Sequence, residues 1–258
     1  MDVAGLGLGV VVTGAGGGIG RAIASRLASE GARVVVNDLD AEALHATAQD
    51  TGAYAVVGDA AGEAGVSSLI EQAREHLGAI DIYCANAGIA PEGGPETPED
   101  VWARSFEINT MAHVRASRLL VPEWLERGSG RFVATVSAAG MLMMLGSAPY
   151  TVSKHAALSY AEWLSATYRH RGIVVQCICP QGVRTAMLDK TGSAGEVTLQ
   201  AGAIEPAQVA EAFWDGLQDD RFLILPHPEV HDFAVGKATD PDRWLAGMNK
   251  LQRRVEAP

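Results

Sequence analysis

Short apolar runs recur along the chain at 10–12, 33–37, 54–57, 80–84, 131–136, 173–178 and 222–225. They are nearly all apolar instead of alternating with polar residues. A strand covered on one face alternates, whereas a strand covered on both faces does not, so the runs predict a parallel sheet buried on both sides. The stretches between them, 19–30, 41–50, 65–77, 98–127, 150–171 and 206–218, carry helix-compatible patterns. Seven strands alternating with six helices make βαβ units. They predict a doubly wound (Rossmann-type) α/β fold, with one seven-stranded parallel sheet flanked by helices. No break in composition divides the chain, so residues 1–258 read as a single domain. Two segments read as loops. Residues 90–98 are rich in Pro and Gly. Residues 188–205 are long, small and weakly patterned, and a segment of about 187–205 is expected to be a substrate loop or lid.

The composition narrows the possible partners. A net charge of −11 leaves no basic footprint for phosphate backbones, which excludes nucleic acid. The apolar stretch 3–12 follows Met1-Asp2 with no basic region and runs straight into a Gly-rich turn, so it is not read as a signal peptide. No run reaches the roughly 18 apolar residues of a membrane span. The cysteines, Cys84, Cys177 and Cys179, are odd in number and lie in apolar runs. That suggests reduced thiols and a cytoplasmic setting.

Thr13-Gly14-Ala15-Gly16-Gly17-Gly18-Ile19-Gly20 follows the first strand and opens the first helix. Glycines there let the backbone turn tightly and approach a pyrophosphate, and the helix N-terminus offers free N–H groups. The spacing is G-x-x-x-G-x-G. Asp38 ends the second strand, 18 residues beyond Gly20. A carboxylate there can accept both hydroxyls of an adenosine ribose and would repel a 2′-phosphate. The next residue, Leu39, offers no cation, so the expected cofactor is NAD. The alternative for Asp38 is a cap on the following helix.

Tyr150-Thr151-Val152-Ser153-Lys154 places a tyrosine and a lysine four apart on one helical face. A free phenol, with a pKa of about 10, is a poor base near neutrality. A neighbouring ammonium, together with a positive nicotinamide ring, would stabilise the phenolate and lower it. With these residues in place, the chain resembles the short-chain dehydrogenase/reductase family over about 10–225. Thr13 to Gly20 looks like that family's cofactor turn, with contacts implied at Gly14, Gly17, Gly18, Ile19 and Gly20. Asp59, followed by Ala60, resembles its adenine-contacting acid. Ala85-Asn86-Ala87-Gly88 resembles its Asn-Asn-Ala-Gly motif, Asn109 its proton-relay asparagine, and Ser137 its substrate-orienting serine. Pro180-Gln181-Gly182-Val183-Arg184-Thr185 resembles the Pro-Gly motif that holds the nicotinamide, implying contacts from Pro180, Val183 and Thr185. Two departures are Ala85 in place of an asparagine and Gln181 in place of a glycine.

The resemblance implies Tyr150 as general acid/base, Lys154 as its modulator and ribose ligand, Ser137 as donor to the substrate oxygen, and Asn109 as support for a water path. The implied reaction interconverts a secondary alcohol and a ketone on a small, largely apolar substrate. A homotetramer is implied through the helices at 98–127 and 150–171. Alternatives are a 3-oxoacyl-thioester reductase and a catalytically silent dinucleotide-binding regulator. Met141-Leu142-Met143-Met144-Leu145 either walls the substrate pocket or packs in the core or between subunits. No metal site is expected: Pro228 argues against a regular helix presenting His227 and His231 together. His155 points off the reactive helix face and reads as structural.

Overall fold

A computed structural model describes residues 7–257. Residues 1–6, including the first part of the stretch weighed against a signal peptide, lie outside the described residues. The strands are β1 (Gly9–Thr13), β2 (Arg33–Asp38), β3 (Tyr54–Val57), β4 (Ile82–Ala85), β5 (Gly130–Thr135), β6 (Ile173–Ile178) and β7 (Leu223–Ile224). They form one parallel sheet in the order β3-β2-β1-β4-β5-β6-β7. The order reverses between β1 and β4. The connections on either side leave in opposite directions there, and a crevice opens beyond the strands' C-terminal ends.

The apolar runs are buried on both faces, as their lack of alternation requires. Val10 and Val12 face α1 (Gly18–Ser29), α2 (Ala41–Thr51) and α8 (Pro206–Asp219) through Ile23, Leu27, Leu44, Val209 and Phe213. Val11 and Val35 face α3 (Glu63–Leu77), α5 (Ala112–Arg127) and α6 (Ala148–Tyr168) through Leu69, Ile70, Leu120, Trp124 and Leu164.

The structure departs from the sequence reading in three places. The helix expected over 98–127 is α4 (Glu99–Phe106) and α5 joined by a π-helical turn, Glu107–Met111, that contains Asn109. The segment 188–205 is not an irregular loop. It forms 3₁₀ turns at Leu188–Lys190 and Gln200–Gly202 around α7 (Gly192–Thr198). Glycine is a poor helix former, but α7 packs on a neighbouring helix, and tertiary contact overrides propensity. That neighbour is α10 (Pro241–Val255). It and α9 (Glu229–Thr239) follow β7, where the sequence reading placed no element.

Trp124 anchors the second face. It is fully buried and donates from Nε1 to the Ile80 carbonyl at 2.8 Å. Gly130 lies flat against its ring, where an added Cβ would fall 2.2 Å from ring atoms. Trp124→Ala should cost about 3–5 kcal/mol, a fall in Tm of roughly 6–20 °C. Trp124→Phe should recover most of that loss. Urea unfolding monitored by circular dichroism measures both.

Candidate active site

The crevice begins at the Gly-rich turn. Gly14 (φ 64°) and Gly18 (φ 53°) take a left-handed backbone that side chains disfavour. A Cβ on Gly14 would lie 2.8 Å from the Ala87 backbone, and one on Gly18 2.9 Å from the Thr185 methyl. Gly17 has nothing within 4 Å of its Cβ position and opens onto the crevice. Gly20 lies behind the turn, where a Cβ would meet the Gly14 carbonyl at 2.2 Å. It shapes the turn without lining the cavity.

Asn86 ties this turn to the sheet. Its Nδ2 donates to the carbonyls of Thr13 (3.0 Å) and Gly14 (3.1 Å), and its Oδ1 accepts from the Thr135 hydroxyl (3.0 Å). The Thr13 hydroxyl accepts from the backbone N–H groups of Asn86 and Ala87, each at 3.0 Å. The loop is therefore secured without the asparagine that Ala85 replaces.

Asp38 turns one oxygen to the Gly16 N–H (2.9 Å) and the other to the Asp40 N–H (3.1 Å). The cap of α2 is Asp40, which accepts from the Ala43 N–H, so Asp38 is free of that task. Leu39 beside it is 65% exposed. Asp59 accepts from the Ala61 N–H at 2.9 Å and, with Ala60, borders the same end of the crevice.

The reacting groups meet at the other end. Tyr150 and Lys154 rise from the first turns of α6 and are both buried. The Lys154 ammonium lies 5.7 Å from the Tyr150 ring centre and donates to the Thr135 carbonyl at 2.8 Å. Burial draws its pKa down to about 8. Burial also raises the Tyr150 phenol, partly opposed by a hydrogen bond from Ser137. The lowering expected from the sequence needs the lysine and a nicotinamide ring together. Here the ammonium faces Thr135, and desolvation dominates. Ser137 sits at φ 113°, a backbone region few side chains adopt. Its hydroxyl accepts from the Ala139 N–H at 3.1 Å.

Asn109 does not line the cavity. Its amide clasps Ile89, accepting from the N–H at 3.0 Å and donating to the carbonyl at 2.9 Å, and it also donates to the Ser153 hydroxyl at 3.0 Å. It backs Gly88, where a Cβ would lie 3.1 Å from its Oδ1 and 3.4 Å from the Lys154 nitrogen.

The Pro180 turn shows how Gln181 is accommodated. The Gln181 N–H donates to His227 Nδ1 at 3.1 Å, and His227 Nε2 then donates to the Gly202 carbonyl at 3.1 Å. Val183 bridges to Ile204, fixing the far end of the segment 188–205. His227 is thus a buried structural link. Among the described residues no group of metal donors assembles.

One cavity of about 1160 Å³ joins both ends and is lined by Pro180, Val183 and Thr185 as well. Its outer wall includes residues the sequence reading did not assign: Phe233 of α9 and Trp244, Met248 and Leu251 of α10. The three on α10 carry a signal, an Asp-Pro start at 240–241 followed by apolar residues at i, i+4 and i+7. His113 is fully buried with neither ring nitrogen bonded, and burial, with the Lys154 charge, drives its pKa down to about 3.

A doubly wound sheet with a glycine turn at its crossing point and a buried Tyr–Lys pair defines a dinucleotide-binding oxidoreductase fold. Residues 9–195 match the short chain dehydrogenase family. The chain is 37% identical, over 233 residues, to 1-deoxy-11-beta-hydroxypentalenate dehydrogenase of Streptomyces exfoliatus, covering 85% of this chain and 83% of that one. It is 29% identical over 252 residues to rat (Rattus norvegicus) 17-beta-hydroxysteroid dehydrogenase 13, covering 94% and 82%. A short-chain dehydrogenase/reductase from Burkholderia phymatum, solved in complex with NAD, superposes with a TM-score of 0.84 at 27% identity, covering 94% and 96%. The chain belongs to the short-chain dehydrogenase/reductase family of oxidoreductases.

Asn86→Ala would leave the Thr13 and Gly14 carbonyls without their donor, at a cost of about 1–3 kcal/mol. We expect a lower Tm together with weaker dinucleotide binding, measured by calorimetric titration.

Proposed function

We propose that the protein is an NAD(H)-dependent dehydrogenase that interconverts a secondary alcohol and a ketone on a bulky apolar skeleton. The observation that carries this reading is the convergence of Ser137, Tyr150 and Lys154 on one wall of a cavity whose other end carries the glycine cradle and Asp38. The cradle fits a dinucleotide: a Cβ on Gly14 or Gly18 would collide with its neighbours, and Gly17 leaves its place open to the crevice. Gly14, Gly17, Gly18 and Ile19 would hold the pyrophosphate, with Gly20 shaping the turn behind them. Asp38 and Leu39 would meet the adenosine ribose, Asp59 and Ala60 the adenine, and Asn86, Ala87, Gly88, Pro180, Val183 and Thr185 the nicotinamide half. When bound, the cofactor would supply the hydride exchange and, in its oxidised form, a positive charge.

Tyr150 then exchanges a proton with the substrate oxygen, Ser137 donates a hydrogen bond to that oxygen, and Lys154 holds the ribose and the charge of the phenolate. Asn109 positions the strand-four loop behind them. Desolvation raises Tyr150 and so holds it as an acid, which suits ketone reduction. Oxidation needs the phenolate, so its kcat/KM should rise with pH, while that of reduction should fall.

The substrate end is walled by Leu142, Met143, Met144 and Leu145 together with Met187, Phe233, Trp244 and Met248. Of the two roles open to the 141–145 stretch, this supports the pocket wall. Similarity to dehydrogenases named for a hydroxypentalenate and a hydroxysteroid supports a multi-ring substrate over a small one. The exposed Val152 and Trp163 on α6 suit a homotetramer, and three buried free thiols suit the cytoplasm.

Turnover of a hydroxysteroid and of cyclohexanol with NAD and with NADP tests the reading. No reduced cofactor from any alcohol would refute it. NAD should be preferred, and Asp38→Ser should narrow the preference while weakening NAD binding. Tyr150→Phe should lose about 100-fold or more of turnover with NAD affinity nearly intact, whereas Lys154→Met should lose both. Steady-state kinetics and fluorescence titration separate the two.

A further inference from the structure

Two stretches distant in sequence contribute to the apolar wall of the cavity: residues 142–145, between Ser137 and Tyr150, and the C-terminal helices α9 and α10. Residues 141–145 lie outside regular secondary structure apart from turns, so their carbonyls need partners from elsewhere. Lys237 of α9 supplies them. Its ammonium donates to the Met141 carbonyl at 2.8 Å and the Leu142 carbonyl at 3.0 Å. A third contact runs to His155 Nε2 at 3.3 Å. His155 Nδ1 lies 2.9 Å from the Thr151 carbonyl, which can only accept, so Nδ1 carries the proton and Nε2 is left to receive the lysine. The same ammonium lies 5.4 Å from the Trp244 ring centre, a cation–π contact with α10. Burial pulls the Lys237 pKa down.

The other end of the stretch is held from α6 directly. The Thr151 hydroxyl accepts from the Met144 N–H at 2.9 Å and lies 3.2 Å from the Met144 carbonyl. Thr151 and His155 are the residues next to Tyr150 and Lys154. The apolar wall is therefore fastened at one end to the reactive helix and at the other to Lys237, which also reaches that helix through His155.

We propose that Lys237 is a positioning residue that sets substrate specificity: through its contacts with Met141, Leu142, His155 and Trp244 it joins the C-terminal cap to the reactive helix and fixes the shape of the pocket for bulky apolar alcohols. It rests on the cavity being a dehydrogenase's substrate site. Lys237 touches neither the Gly-rich turn nor Tyr150. Its loss should therefore act on the fit of large substrates and spare the chemical step and the dinucleotide.

Lys237→Met keeps the length of the stem and removes the donors. With a hydroxysteroid as substrate and NAD as oxidant, it should raise KM about ten-fold, equivalent to about 1.4 kcal/mol. The kcat, the KM for cyclohexanol and the Kd for NAD should remain within about two-fold of the wild type, a far smaller change than the ten-fold effect. Lys237→Arg can still donate to two carbonyls and should recover most of the loss. Equal KM shifts for both alcohols, or a fall in kcat with KM unchanged, would overturn the proposal. Hydrogen exchange needs no turnover. The amides of Met141 and Leu142, bonded to the Ala138 carbonyl, and of Met144 should exchange faster in Lys237→Met than in wild type. Unchanged exchange there would sink the proposal even if the dehydrogenase reading held. Faster exchange in Lys237→Met, with a wild type that oxidises no alcohol, would leave the fastening of 141–145 by Lys237 standing and overturn the dehydrogenase reading together with the specificity that rests on it.

Discussion

The site depends on a polar knot at the C-terminal ends of β1, β4 and β5. Asn86 and the hydroxyls of Thr13 and Thr135 satisfy one another and the backbone groups that three parallel strands leave open where they stop. A parallel sheet must end somewhere, and its last carbonyls and N–H groups would otherwise cost free energy once covered. Joining them laterally leaves the space above the strands clear. Gly14 can then pass close to Ala87, and the Thr135 carbonyl, the next polar group along, is free to receive Lys154. The Gly-rich turn and the Lys154 ammonium thus hang on one hydrogen-bonded frame.

The same burial that shapes the site governs its protons. Lys154 and Tyr150 sit where water is scarce, so each is pushed toward its neutral form: the lysine downward and the phenol upward. His113 follows the same rule more strongly. A bound positive ring or a bound oxygen would alter these balances at short range, because a low dielectric strengthens every charge placed in it.

The sheet was legible because valine and isoleucine runs without alternation leave few alternatives, and the Gly-rich turn because its glycines follow a strand and open a helix. Asp38 was legible for the same reason: a carboxylate at a strand end has a fixed place relative to that turn. The burial of Tyr150 and the bond from Lys154 to the Thr135 carbonyl were not legible, since both belong to the tertiary structure. Nor was α7 legible, because Gly192 and Gly195 speak against a helix that packing on α10 supports. The outer wall went unread although Asp240, Pro241, Trp244, Met248 and Leu251 carry a recognisable helix start and stripe. The link between Lys237 and residues 141–145 spans about a hundred positions and leaves no local pattern.

Ser137 shows what the site demands of the backbone. At φ 113° and ψ 151° it occupies a conformation in which glycine alone is at ease. A residue held that way weakens the fold by an amount on the order of 1–3 kcal/mol. The surrounding bonds, from its own N–H to the Ile178 carbonyl and from the Ala139 N–H to its hydroxyl, keep it in place. A chain selected for durability alone would have put glycine here. On the role proposed for Ser137, conformational comfort yields here to the placing of an oxygen at a fixed point, and the sturdiest variant of this protein and its most active one would part company.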